Sequence, residues 1–104
     1  MGRIVMAVYQ PKPGKEAMLD ALVVDHVARL KAQNLVTDRE PIIMRSSSEA
    51  VIEVFEWLSA EAIESAHQNE AVIEMWGQFA QVCDFVPIGQ CPEAATMFSE
   101  FTPI

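Results

Sequence analysis

Apolar and polar positions alternate between two rhythms along this chain. Residues 4–9 form a near-continuous apolar run of strand length, the pattern of a strand covered on both faces. Gln10-Pro11-Lys12-Pro13-Gly14 ends it, because neither proline can donate to a ladder. The spacing then changes. Leu19, Leu22, Val23, His26, Val27 and Leu30 recur at helical intervals, which predicts a helix over residues 15–33 with Asn34 as its left-handed stop. A polar connection over 36–40 leads to a second, weaker strand at 41–46. The serine-rich turn at 46–50 passes into a third strand at 51–57, so the two strands read as a hairpin.

The stretch VIEVFEWLSAEAIESAH, residues 51–67, runs from that strand straight into a helix. Its strand half is β-branched and aromatic. Ser59 offers an oxygen to the free N–H groups of the new helix, predicted over 60–67, and Glu61 suits the positive end of the dipole. Asn69 caps a further helical piece, on which Val72, Met75, Trp76, Phe79, Ala80 and Cys83 share one face, widened by Ile73 and Val82. A last short strand is expected at 85–88. The tail from Gly89 carries Met97, Phe98 and Phe101, and is expected to dock on its own domain or on a partner.

The order strand, helix, strand, strand, helix, strand is the split βαβ arrangement. It predicts an α+β fold, a ferredoxin-like βαββαβ antiparallel sheet with helices on one face. At 104 residues this is a single domain, residues 1–104, with 88–104 as its tail. Ile43, Val51, Phe55 and the alternation in the first strand make both sheet faces too apolar for water. A second copy packed sheet to sheet would cover the open face, so a homodimer is expected.

Composition narrows the partners. The net charge is -8 and the pI about 4.5, so phosphate backbones and anionic lipid surfaces are repelled; no nucleic acid and no membrane partner is expected. No apolar run approaches the ~20 residues of a membrane helix, and the N-terminus reads as a strand without a cleavage site. A cytoplasmic protein is the expectation, with Cys83 and Cys91 as free thiols at no metal spacing. Gly-rich phosphate loops, nucleophile elbows and His/Cys/carboxylate ligand clusters are all missing from the sequence, which argues against nucleotide, hydrolase and zinc chemistry. No metal and no cofactor is implied.

YQPKPGKEAMLDAL after the first strand and FEWLSAEAIESAHQNEAV at the third strand resemble the dimeric α/β-barrel superfamily, and within it the antibiotic-biosynthesis-monooxygenase-like proteins. The resemblance spans residues 4–88, and its Trp-x-Ser-x-Glu-Ala pattern followed by a His marks fold better than activity. It implies a dimeric α/β barrel. It also implies one of several activities, cofactor-free oxygenation and haem degradation among them. The haem-degrading branch uses an Asn, a Trp and a His at places that here hold Ala7, Ala66 and Trp76, so that activity is not expected.

Five residues are candidates for a site, each with a plainer alternative. His67 is the candidate catalytic base, its imidazole titrating near neutrality; the alternative is a helix-end histidine bonded to backbone. Trp57 and Trp76 are candidates to stack on a flat ligand, or are core packing. Tyr9 can orient a substrate, or be a buried tyrosine with one hydrogen bond. His26 lies in the apolar stripe of the first helix and faces either a pocket or a satisfied core. Two functions follow. One is a cofactor-independent monooxygenase acting on a flat phenolic or quinol substrate, with His67 as base. The other is a non-catalytic dimer that binds a small apolar molecule or is structural. An apolar cavity with convergent polar groups separates them.

Overall fold

A computed structural model describes residues 1–104 as an antiparallel sheet with helices packed on it, built around the third strand. In chain order the elements are β1 (Arg3–Pro11), α1 (Glu16–Ala32), β2 (Ile42–Arg45), β3 (Val51–Trp57), α2 (Ala60–Ala66), α3 (Glu70–Val82), β4 (Cys83–Val86) and β5 (Thr102–Pro103). The sheet order is β4-β1-β3-β2-β5, with every neighbouring pair antiparallel. This α+β arrangement is compatible with a ferredoxin-like fold. No helix is long and apolar enough to cross a membrane.

Local chemistry explains where the elements begin and end. Gly14, at φ 78°, makes the turn from β1 into α1 in a region that side chains disfavour. Asn34, at φ 58°, closes the first helix. The Ser59 hydroxyl accepts from the Ala62 N–H at 3.1 Å, and the Asn69 side chain accepts from the Val72 N–H at 3.2 Å, so the second and third helices each start on a side-chain cap. The edge strand β4 lies two residues earlier than the sequence suggests. Cys83 is already extended, and α3 passes into β4 without a loop. Pro87 stops the strand at Val86, because it has no N–H to give the ladder.

Register sorts the side chains into two faces. Val5 stands opposite Phe55, Ala7 opposite Glu53 and Tyr9 opposite Val51, all on the helix side. There they join Leu19, Val23 and Leu30 of α1 and Val72, Met75 and Phe79 of α3 in the main core. Phe79 is fully buried; truncating such a side chain to Ala typically costs about 3–5 kcal/mol. The opposite face holds a smaller cluster, Val8, Ala50, Ile52 and Cys91, with Met44, Val54, Val86, Ile88 and Phe101 packed against it. The tail therefore lies across that face and ends as β5 on the edge of β2. Glu93 fastens it, accepting from the Ser46 hydroxyl at 2.7 Å and the Ser47 N–H at 2.8 Å. Ile4, Met6 and Ile42 on the same face stay exposed, as do Met97 and Phe98 of the tail.

Candidate functional site

Period-two alternation turns Val51, Glu53, Phe55 and Trp57 of β3 toward the helices, and with them a carboxylate into the main core. Glu53 is 0% exposed. Its Oε1 accepts the Tyr9 O–H from β1 at 2.7 Å, and lies 2.8 Å from Nδ1 of His26 on α1. His26 is also buried, wedged edge-on between Phe55 and Phe79 at ring distances of 5.6 and 5.0 Å. From α3, the indole N–H of Trp76 reaches His26 Nε2 at 3.2 Å. Four elements thus converge on one chain of hydrogen bonds.

The protons in this chain are fixed by what each group can do. An indole N–H only donates, so His26 Nε2 is an acceptor and carries no proton. The imidazole is then neutral, with its proton on Nδ1, and donates to Glu53 Oε1. Burial, and next the charge of Glu53, push the Tyr9 phenol well above its ordinary range, so Tyr9 is a donor throughout the working pH range. Oε1 takes both donors. The other oxygen, Oε2, is buried without a partner. An unpaired buried polar atom typically costs about 1–3 kcal/mol.

Above this chain opens a cavity of about 320 Å³ between the sheet and the helices. Tyr9, His26, Trp57 and Trp76 line it together with Val5, Ala7, Phe55 and Phe85. Its wall is apolar almost throughout, and no lysine or arginine reaches it. The four residues singled out for substrate contact therefore come to one space. His67 lies elsewhere, at the α2 end. Its Nδ1–H donates to the Ile63 carbonyl at 2.8 Å, and its ring stands at the edge of Trp76 at 5.2 Å. The backbone bond is what a helix-end histidine makes, and the ring touches the site only through Trp76.

Glu53 is the group the sequence reading passed over. The signal was there: a glutamate on the inward register of a strand otherwise made of Val51, Phe55 and Trp57. Counted as one of fifteen acidic residues it looks like surface; counted by register it can only be internal. Neither cysteine belongs to the site. Both are buried and free; burial pushes the Cys83 thiol up to about 11, and its S–H donates to the Phe79 carbonyl at 3.1 Å. No three His, Cys, Asp or Glu side chains are grouped to hold a metal ion. Ala7 lines the cavity and Ala66 is buried in the core. No protein-family model matches the chain, and no curated protein matches it.

Proposed function

We propose that this protein binds a flat phenolic or quinol molecule in the cavity and oxidises it as a cofactor-independent monooxygenase. One observation carries the reading: the apolar cavity is lined by a histidine whose Nδ1–H is held by a buried carboxylate, leaving Nε2, beneath the Trp76 indole, as its basic atom. That is the arrangement by which a carboxylate orients an imidazole for general-base work. His26 is the base that this geometry favours over His67. It would take the proton of a substrate hydroxyl, and the electron-rich anion would react with dioxygen. One oxygen atom enters a ring carbon ortho or para to the hydroxyl that carries hydrogen, giving a quinone from a phenol and a hydroxyquinone from a quinol; the other leaves as water with two hydrogens of the substrate, a four-electron exchange on each side.

The same reading places the chain among cytoplasmic, antibiotic-biosynthesis-monooxygenase-like proteins that assemble as dimeric α/β barrels. The exposed Ile4, Met6 and Ile42 on the face away from the helices support a homodimer packed sheet to sheet. A second reading, a non-catalytic binder of a small apolar molecule, is favoured by a different observation: Trp76 already occupies His26 Nε2. Oxygen uptake with naphthols and anthrones separates the two. Turnover lost by about 10²–10⁴ in His26→Gln supports the enzyme. Saturable binding with no uptake in the wild type supports the binder.

A further inference from the structure

The polar inventory of the cavity is short. Of its lining residues, only Tyr9, His26, Trp57 and Trp76 carry polar side-chain atoms. The Tyr9 O–H and the His26 Nδ1–H are both committed to Glu53, behind the wall. What remains for a ligand is the lone pair of His26 Nε2, beneath the Trp76 indole. Nε2 meets a donor in the resting protein, the indole N–H of Trp76. Trp76 is only half-buried, so its N–H can turn to water if it is displaced.

Resting on the reading that this cavity binds a small molecule, we infer that it selects neutral, flat ligands that bring a hydrogen-bond donor, and that Trp76 is the residue that sets this selection. The indole N–H holds the donor's place on Nε2. A hydroxyarene exchanges one N–H···N bond for one O–H···N bond, and the displaced indole is rehydrated. An isosteric ether displaces Trp76 only by leaving Nε2 buried and unpaired, which is the expensive outcome for a polar atom. An anionic carboxylate fares worst. It leaves water for an apolar wall with no cation in it, and the charge of Glu53 lies close behind.

The test uses three naphthalenes of one shape: 2-naphthol, 2-methoxynaphthalene and 2-naphthoate. Affinities are measured by calorimetry on the full chain, wild type and Trp76→Phe. The phenyl ring keeps an aromatic surface and removes the competing N–H. In the wild type, 2-naphthol should bind at least about tenfold more tightly than the ether, and 2-naphthoate should not bind. In Trp76→Phe, 2-naphthol should gain about threefold to tenfold, the equivalent of one neutral hydrogen bond no longer opposed. In parallel, ¹⁵N spectra of the wild-type His26 ring should show a protonated Nδ1 and a bare Nε2; this needs no variant, so the inference stays open to refutation if Trp76→Phe does not fold. Equal binding of naphthol and ether, or naphthol affinity unchanged in Trp76→Phe, overturns the inference and leaves the cavity as a binding site. So does an Nε2–H tautomer. Failure of all three probes with both proteins overturns the binding reading and the inference together.

Discussion

Replacing Glu53 should be the most damaging single change at the site, and the structure says by how much. In Glu53→Leu, the Tyr9 O–H and the His26 Nδ1–H both lose the oxygen they share. Each orphaned buried donor costs about 1–3 kcal/mol, so the pair costs about 2–6. The substitution also removes Oε2, an acceptor already without a partner, which returns about 1–3 kcal/mol. The net expectation is a loss of about 1–3 kcal/mol. Glu53→Gln is the control. It keeps an oxygen for both donors while weakening two charge-assisted bonds to neutral ones, so it should lose only about 1 kcal/mol. Tyr9→Phe combined with His26→Leu and Glu53→Leu removes the donors along with the acceptor, and should recover most of the deficit. Urea unfolding followed by circular dichroism measures all three, at one fixed protein concentration because self-association shifts the midpoint. If Glu53→Leu equals the wild type, or if Gln is as harmful as Leu, the shared oxygen is not what stabilises this part of the core.

His67→Ala should lower stability by less than about 1 kcal/mol and leave 2-naphthol affinity within about twofold, since the ring is exposed and reaches the site only through the edge of Trp76; thermal melting and calorimetry check it. The Ser47 N–H and then the Ser46 hydroxyl hold the Glu93 carboxyl at about 2, down from 4.5. A carboxyl lowered on folding stabilises above its unfolded value and loses that contribution as pH falls toward its folded one. Wild-type stability should therefore drop between about pH 4.5 and pH 2 more steeply than that of Glu93→Gln, as read from urea midpoints. Wild-type chain at micromolar concentration should sediment at twice its 11.6 kDa, and Met6→Lys on the exposed sheet face should shift it toward monomer without unfolding it.

Much of the fold could be read from spacing because spacing is what burial acts on. Leu19, Leu22, Val23, His26, Val27 and Leu30 share one helix face by spacing; five are buried there and Leu22 is half-buried against the same core. Ser59 and Asn69 announce their helices because a cap is a local interaction between residues three apart. The end of α3 was less legible. Cys83 faces the core equally well as the last residue of a helix or the first of a strand, so periodicity could not place the boundary; pairing with Pro11, far away in sequence, decides it. The tail could be recognised as apolar but not as a strand, since β5 has two residues and exists only through its pairing with Met44 and Arg45. At the site, the aromatic and imidazole residues stand out by type. Glu53 does not, because its meaning depends on which way one strand faces.

The order of strands in the sheet runs against the order of synthesis. β1 is made early, yet its two neighbours are β3 and β4, and it must wait for residues 51–57 and then 83–86. About 70 residues separate the end of β1 from the start of β4, roughly 4–14 s of elongation at ordinary ribosomal rates. For that interval an apolar strand carrying Ile4, Val5, Met6 and Val8 has at least one bare edge, and long-range pairing of this kind is slow even in a finished chain. Pro11 sits at the end of the strand and Pro13 just beyond it, so a wrong partner cannot extend its ladder past them. A nascent chain of this topology thus exposes its stickiest segment longest, and slower elongation lengthens that exposure.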